Sequence, residues 1–454
     1  MPLDPEEPAP RGGRIILPGG DEPEREQPSK IILPPGVART ETEDVPEYPR
    51  LRSLVLVPFS DGQRELLLVN DPLGVVEGQP VLGMESLAIL QLLDGNTSVN
   101  DITTALMRDS KDLRIANMLR DFIAQLDRLL LLESPRFDAA YKARRDEYHM
   151  LEIRAAVLDG RAYPAERAEC EKFLDESFAA ATKLRDEAGN PVAAATATPR
   201  ALMAPHLDPR RSGPTLARAF LELGDQPAGP LRFVIFGTGH SLLEDKFALT
   251  RKHFQTPLGK AMCDVAFVDR IASHLGDLAY HGELAHRDEH SIEFQVLYLQ
   301  RRLGTRPFTI VPILCGGFHT LLDEGRTPRD EPAFEALING VREAEKAAGG
   351  TTIYIAGVDF SHVGPRFGDP PLDDEIRKAI EAQDRGGIAA AERGDADAWY
   401  AAIAATGDAT RICGFAPTYA MLRCAEPGAG RLLRYEPSDE PDGTVVTIAA
   451  MVWP

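Results

Sequence analysis

The sequence predicts an α/β protein in which a layered sheet is flanked by helices. Short apolar runs bounded by glycine or proline alternate with segments of helical periodicity, which is typical of this class. Three of the runs deliver histidine at their carboxyl ends: ALMAPH ends at His206, RFVIFGTGH at His240, and IYIAGVDFSH at Asp359 and His362. Ligands bind beyond the carboxyl ends of strands in open α/β sheets. We therefore expect the chemistry of this chain at that edge.

Composition limits the class of protein and its partners. The 454 residues suffice for two or three domains of about 100–200 residues each. No apolar run reaches the ~18 residues that span a bilayer, and the N-terminus lacks the apolar core of a signal peptide, so we expect a cytoplasmic protein. The net charge of -20 argues against nucleic-acid and membrane partners. Five cysteines without a CxxC pair fit reduced thiols.

Residues 1–50 are predicted to form a disordered tail, because they hold eleven prolines and show no periodicity. The tail contains one repeat: RIILPGG at 14–20 is echoed by KIILPPG at 30–36. The echo is either a chance feature of biased sequence or a pair of short docking motifs that add as strands to a sheet edge.

Residues 51–135 are predicted to form a small α+β domain that is winged-helix-like. LRSLVLVPF and RELLLVND are interpreted as two strands, and MESLAILQLLDG as a helix closed by Gly95. Ser98 and Asp101 form a capping-box-like start to the next helix. From Ile115 onward, apolar residues recur on one helical face. The order is therefore strand, strand and three helices.

This segment resembles the PqqD-like peptide-binding domains. The matching residues are the LLLN-type strand at 66–70, the I-x-x-L-x-D-G helix end at 89–95, and the start of the next helix at 98–102. The resemblance implies recognition of a peptide or protein rather than DNA. The alternative is a satellite domain that only docks on its neighbour.

The remaining chain divides into a charged linker helix at 136–153 and an α/β domain at 154–454. In the latter, strands are predicted at ALMA, RFVIF, FTIVPILC, TTIYIAGV and TVVTIAAMVW. Helices are predicted between them, including one from Glu289 to Arg302 that ends at Gly304 and an alanine-rich region at 373–405. The alternation of strands and helices indicates a layered α/β fold.

Histidine and cysteine side chains lie at the ends of the predicted elements. They are His206, His240, His290, His319, His362 and Cys413. Imidazole and thiolate are ligands suited to zinc, iron or copper. These residues are far apart in the sequence, so spacing alone leaves both a shared site and separate structural roles open.

The order of motifs resembles the Memo family, also called AmmeMemoRadiSam system protein B. The motifs are R-x-x-x-x-x-G-x-x-Y-P at 154–164, A-P-H at 204–206, S-G at 212–213, G-x-x-H at 237–240, T-P-L-G at 256–259, E-H-S-I-E-x-Q at 289–295, D-F-S-H-x-G at 359–364 and C-G at 413–414. The resemblance covers about 300 residues, up to the C-terminus. It implies a fold similar to class III extradiol dioxygenases.

The resemblance also implies a mononuclear metal site that holds iron(II), with copper as the alternative. By motif, its ligands carry over to His206, His240 and Cys413. Two imidazoles and one thiolate would leave coordination positions open for water, oxygen or substrate.

His290, Asp359 and His362 carry over as the catalytic neighbours of these ligands, where they would orient ligands and move protons. Alternatively, Asp359 caps a turn, His290 caps a helix and His362 is a hydrogen-bonded core residue. Glu289 and Glu293 are interpreted as structural. His319, Cys315 and Cys263 match no motif.

Two positions depart from the family pattern. Leu207-Asp208-Pro209 stands where members usually have A-G-Y. Asp208 either lines the pocket, supplies a proton or joins the metal ligands, or it pairs with Arg210 or Arg211 on the surface. Phe415 stands where a polar or basic residue often follows C-G, which predicts a more apolar pocket mouth.

Three functions fit these features. The first is a metal-dependent redox or dioxygenase-like enzyme acting on an unknown small substrate or peptide. The second is a non-catalytic metal-binding scaffold that partners a radical SAM protein, with the PqqD-like domain binding a peptide or protein. The third is a hydrolase that uses metal-activated water, which the thiolate ligand disfavours.

Overall fold

The computed structural model describes residues 45–110, 114–184, 195, 197–224, 228–242 and 246–454. The chain forms two compact units, which divide after Glu147. Both copies of the IILP segment, and most of the predicted disordered tail, lie outside the described residues. The proposed domain boundaries at residues 50, 135 and 153 stay predictions.

The first unit contains an antiparallel sheet in the order β1-β2-β3, followed by helices. Its elements are β1 (Val55–Ser60), β2 (Glu65–Asn70), β3 (Val81–Gly83), α1 (Leu87–Leu90), α2 (Val99–Ser110), α3 (Ile115–Arg128) and α4 (Pro135–His149), the last of which ends beyond residue 147. The two predicted strands are confirmed. The third strand was not predicted, because three residues are too few to show alternation. The predicted helix at 84–95 is only a 3₁₀ turn followed by the four residues of α1.

Local chemistry explains the helices of this unit. The Ser98 hydroxyl accepts a hydrogen bond from the Asp101 N–H at 3.1 Å and donates to the Asp101 carboxylate at 2.6 Å, so the predicted cap is present. The apolar face of α3 is buried against the sheet, where Leu119, Phe122 and Ile123 pack in one cluster with strand residues such as Leu67. The predicted one-sided stripe is therefore the core of this unit.

The second unit is a mixed α/β structure. Its strands are β4 (Ile153–Arg154), β5 (Ala201–Ala204), β6 (Leu231–Thr238), β7 (Phe247–Leu249), β8 (His253–Thr256), β9 (Gly259–Cys263), β10 (Thr309–Cys315), β11 (Thr351–Gly357), β12 (His362–Val363), β13 (Arg431–Asp439) and β14 (Val445–Trp453). Its helices are α5 (Arg167–Ala181), α6 (Pro209–Phe220), α7 (Val265–Leu275), α8 (Ser291–Leu303), α9 (His319–Asp323), α10 (Pro332–Ala347), α11 (Asp374–Glu392), α12 (Ala396–Ala404) and α13 (Phe415–Ala425).

The described strands of this unit form one sheet, whose main path runs β12-β14-β5-β11-β6-β10-β9-β8-β4. Its centre is parallel: β5, β11, β6 and β10 are neighbours that run in one direction. The flanking strand β14 is antiparallel to β5. The predicted layered sheet with flanking helices is thereby confirmed.

Side chains of the central strands alternate between two cores. Met203, Val234 and Tyr354 face one apolar cluster, which includes residues of α7, α10 and α13. Their neighbours Leu202 and Ile235 face a second cluster with α5, α6 and α8. Both faces are covered, so these strands are apolar at most positions, as buried parallel strands are. The helices thus fix the central strands from both sides.

Several elements of this unit were not predicted. The antiparallel β8 and β9 meet at Gly259, whose φ of +121° suits glycine, and they are short and half-polar. Helix α7 and strand β13 were also missed. Helix α8 begins at Ser291 rather than at Glu289, with His290 as N-cap and Gly304 as C-cap. Every helix in the described ranges is too short or too polar to cross a lipid bilayer.

Candidate metal centre

Adjacent parallel strands bring the distant histidines together. Gly357 of β11 is in register with Ala204 of β5 on one side and Gly237 of β6 on the other. The chain leaving β5 reaches His206, and the chain leaving β6 reaches His240. The three strands end level at the same edge. That is the edge where the sequence pattern predicted the site.

The third candidate ligand, Cys413, comes from the turn before α13. Ligand atoms of His206, His240 and Cys413 all lie within 4.8 Å of one another. Cys413 Sγ is 3.5 Å from His206 Nε2, and the two imidazole centroids are 5.2 Å apart at an angle of 85°. Two imidazole nitrogens and one sulfur from three separate loops therefore converge on one point.

The His206 ring is held in one tautomer. Its Nδ1 lies 2.8 Å from the carbonyl oxygen of Gly357. A carbonyl only accepts hydrogen bonds, so in the neutral ring Nδ1 carries the proton and Nε2 has the lone pair that another partner could use. The residue is 2% exposed, and Nε2 is the nitrogen that faces Cys413.

The His240 ring is oriented by Glu289. One carboxylate oxygen accepts from His240 Nδ1 at 2.9 Å and from the His240 N–H at 3.0 Å. The other oxygen accepts from the N–H groups of His290 and Ser291 at 2.8 and 2.9 Å. Glu289 was interpreted as structural, and the structure adds that its carboxylate reaches a predicted ligand from another loop. Its position beside His290 in the E-H-S-I-E motif was the available clue.

Glu293, one turn further along α8, contacts neither of these histidine rings. Its carboxylate accepts from the Val157 and Leu158 N–H groups at 2.9 and 3.0 Å, and it also binds the Arg154 guanidinium and the Tyr163 hydroxyl. Arg154 and Glu293 are fully buried. The structural interpretation of Glu293 is confirmed, because it fixes the 154–164 motif onto α8.

His290 lies against both candidate imidazole ligands. Its ring is parallel to that of His240, with centroids 5.4 Å apart, and its centroid is 5.4 Å from that of His206. Its backbone is the N-cap of α8, but its side chain makes no capping hydrogen bond. Burial is the main cause that lowers the pKa of His290, to about 3, so its imidazole is neutral near pH 7.

Asp359 and His362 lie on the other side of the same centre. One Asp359 oxygen accepts from the backbone N–H of His206 at 2.9 Å and of Leu207 at 3.2 Å. The second oxygen is 3.6 Å from His206 Nε2. His362 Nδ1 donates to carbonyl oxygens, one of them Phe360 O at 2.8 Å. Asp359 thus both caps a turn and contacts a predicted ligand, while His362 is hydrogen-bonded within the loop.

The charges in this cluster favour a thiolate. Burial alone would raise the pKa of Cys413, but the neighbouring imidazoles of His206 and His240 outweigh it and lower the pKa to about 6. Burial would likewise lower the pKa of His206, but the Asp359 carboxylate and Cys413 raise it to about 9. In a metal-free centre at neutral pH, a thiolate therefore lies beside imidazolium. A bound metal cation would take the place of the imidazolium proton.

Asp208 and Phe415, the two residues that depart from the family pattern, lie in different surroundings. The Asp208 carboxylate accepts from the Arg210 N–H at 2.9 Å as the N-cap of α6, and it lines a cavity of about 290 Å³ together with Arg161 and His290. Asp208 therefore faces this cavity. Phe415 is 3% exposed and packs on other aromatic rings.

The two cysteines and the histidine that matched no motif lie in two different places. Cys315 and His319 line a cavity of about 210 Å³ that also reaches Cys413. Cys263 is buried in the core, where its thiol contacts the Thr250 carbonyl at 3.7 Å. Among the described residues, none of the three joins a cluster able to hold a metal ion.

Comparison with known proteins identifies the family of this chain. The Memo-like protein family model matches residues 154–452. The chain is 26% identical over 317 residues to a MEMO1 family protein of Thermus thermophilus, covering 70% of this chain and 86% of that protein. It is 24% identical over 323 residues to one of Aquifex aeolicus (71% and 77%), and 32% identical over 238 residues to one of Pyrococcus furiosus (51% and 74%). The chain belongs to the Memo family.

Proposed function

We propose that this protein holds a single metal ion, iron(II) or copper, through the imidazoles of His206 and His240 and the sulfur of Cys413. The observation that carries the proposal is the convergence of the three ligand atoms within 4.8 Å. Nδ1 of both rings is already engaged, by Gly357 and by Glu289, so each ring has Nε2 left for a metal.

The donor set fits such an ion. Imidazole suits iron, copper and zinc, and thiolate selects softer metals over magnesium or calcium. The pKa of Cys413, about 6, gives the thiolate at neutral pH that metal binding requires. When bound, iron or copper supplies one-electron and oxygen chemistry. The resemblance of this family to the fold of class III extradiol dioxygenases favours redox or dioxygenase-like chemistry, by analogy alone.

The surrounding residues have the properties that such chemistry needs. His290 lines the cavity beside Asp208, where its neutral imidazole can hydrogen-bond to a substrate group and help to orient it. Asp359 accepts a hydrogen bond from the backbone N–H of His206 and so holds it in place. A ring nitrogen of His362, a carboxylate oxygen of Asp359 and the sulfur of Cys413 lie within 4.8 Å of one another. We assign His290, Asp359 and His362 to proton transfer and to orienting the substrate and the ligands, on an unidentified small substrate or peptide.

Elemental analysis of protein purified without oxygen tests the metal proposal. We expect about one iron or copper ion per chain. Cys413→Ala and His240→Ala should each lose it, while Cys424→Ala should keep it. Cys424 is the matched control because it is buried in α13 and belongs to none of the candidate ligand groups among the described residues. Stoichiometric zinc that survives both ligand substitutions would refute the proposal.

A second candidate function is a non-catalytic metal-binding scaffold in a radical SAM system. It is favoured by the PqqD-like motifs and by an apolar groove in the first unit. In this proposal the first unit binds a peptide or protein partner in the cytoplasm. Deleting residues 1–135 should leave the metal content intact and abolish the capture of that partner in a pull-down. Unchanged capture would exclude the first unit as the binding region.

A further inference from the structure

The first unit carries an apolar groove of about 270 Å³ between β3 and α3. Its walls include Leu82, Ile89, Met118, Phe122 and Leu129. Val81 stands at its edge and is 45% exposed, although it is a large apolar residue in a strand. A concave apolar surface of this kind is typical of a site that receives another apolar segment.

The same groove is bordered by a free strand edge. Among the described residues, β3 pairs only with β2, so it is the outer strand of its sheet. The Val69 N–H donates to Pro80 O, and Leu82 is opposite Leu67. Antiparallel pairs alternate between bonded and non-bonded residues, so the backbone N–H and C=O of Val81 point away from β2. A further strand could pair there and lay its side chains in the groove.

The chain itself contains two segments that match this edge. RIILPGG at 14–20 and KIILPPG at 30–36 each present three β-branched or apolar residues, the length of β3, and then a proline that ends the pairing. A basic residue precedes each run. The groove is lined by Glu77, and the Glu85 carboxylate lies beside Gly83 at the end of β3, so the charges are complementary.

The tail is also long enough to reach the groove. Eleven residues lie between Leu33 and Val45, where the described part begins, and the stretch from Leu33 to Val45 spans up to ~40 Å when extended. A domain of about 100 residues has a radius of gyration of about 13 Å. The stretch that follows the second copy is therefore longer than the first unit is wide, and the first copy has sixteen more residues available.

We propose that an IILP segment of the protein's own tail adds as a strand to β3 and fills the groove, which blocks the groove for other peptides. Ile31 and Leu33, or their counterparts Ile15 and Leu17, enter the groove on one face of that strand. The inference rests on the proposed recognition of peptides by the first unit. It makes the tail an internal competitor that a partner peptide must displace.

A labelled peptide of residues 27–38 tests the proposal by fluorescence anisotropy. We compare its binding to the full chain and to a chain of residues 41–454. A tethered segment has an effective concentration in the millimolar range, so a segment with a Kd of about 100 μM weakens binding of the free peptide about tenfold. The shortened chain should therefore bind it about tenfold more tightly. The full chain carrying both Ile15→Asp and Ile31→Asp should bind like the shortened chain, whereas Val37→Asp should bind like the full chain.

Two further variants of the shortened chain locate the site. Val81→Asp should abolish peptide binding, whereas Phe59→Asp, at a 38% exposed position on the opposite edge strand, should not. Circular dichroism checks that both variants stay folded. Equal binding to the full and shortened chains, or loss with Phe59→Asp alone, would overturn the proposal. If an unrelated apolar strand peptide binds and the tail peptide does not, the tail is the wrong occupant but peptide recognition stands. If neither binds, both proposals fail.

Discussion

Replacing Glu289 by Gln isolates the effect of a residue that supports a ligand without being one. The carboxylate accepts four hydrogen bonds, two of them from His240 and one each from the backbones of His290 and Ser291. A glutamine has only one acceptor oxygen, and its amide N–H groups would face N–H donors. Either the His240 ring or the turn before α8 must therefore lose its partner.

The expected effect is a loss of metal affinity rather than of fold. Removing the hydrogen-bond partner of a metal-ligating histidine lowers metal affinity about 10- to 100-fold. At about 1.4 kcal/mol per tenfold, Glu289→Gln should weaken binding by about 1.4–2.8 kcal/mol. Equilibrium dialysis against iron(II) without oxygen measures this change directly.

The matched control is Glu222→Gln. Glu222 is also a buried glutamate, 6% exposed, but it pairs with Arg218 and Arg431 on α6 and β13 instead of with the histidines. It should leave the metal affinity unchanged. Metal binding by Glu289→Gln at the affinity of the unaltered protein, with the chain fully folded, would refute the assignment of Glu289 as the group that orients His240.

Three further outcomes are expected. In the metal-free protein, alkylation of Cys413 should be half-maximal near pH 6, the value to which the imidazoles lower its pKa, and added iron(II) should slow it; a midpoint near pH 9 would contradict this. Gly414→Ala should reduce metal content, because its Cβ would stand 2.8 Å from a carbonyl oxygen, whereas Gly386→Ala, with open space around it, should not. Burial would raise the pKa of Asp71, but Arg52 and backbone N–H groups lower it. The resulting stability is present above about pH 4 and lost as the pH falls through the folded-state pKa. Asp71→Asn should therefore flatten the acid dependence of amide exchange in β1 and β2, and an unchanged dependence would refute that role.

The sequence was informative where chemistry follows directly from a strand. His206 and His240 each come two residues after a buried apolar strand, so parallel pairing predicted that both lie at one edge of the sheet, although the spacing alone left a shared site open. Cys413 comes from a turn before a helix, and only the family motif distinguished it as a ligand from the other residues at element ends. Folding brings that turn against the Asp359 loop, where Gly414 N–H donates to Asp359 O at 3.0 Å.

The missed features share a physical reason. β3, β8 and β9 are too short or too polar for periodicity to separate them from loops. The role of Glu289 depends on a side chain that reaches from the residue before the N-cap of α8 to His240 in the loop after β6. The E-H-S-I-E motif marked the position of Glu289 but not its partner. Long-range polar contacts of this kind become visible only once the fold is known.

The two imidazoles of the centre donate hydrogen bonds to different kinds of acceptor. This difference explains how the 154–164 motif, which supplies no ligand, contributes to the centre. The His206 ring donates a hydrogen bond to a neutral carbonyl oxygen of β11, and the sheet holds that carbonyl in place. The His240 ring donates a hydrogen bond to the Glu289 carboxylate just before α8. The sheet does not hold this carboxylate, so contacts elsewhere must do so. Arg154 provides that hold: its guanidinium binds the carbonyl oxygens of His286 and Glu289 and the carboxylate of Glu293. The buried arginine thus clamps the turn that carries Glu289, so its removal should disturb His240 while sparing His206.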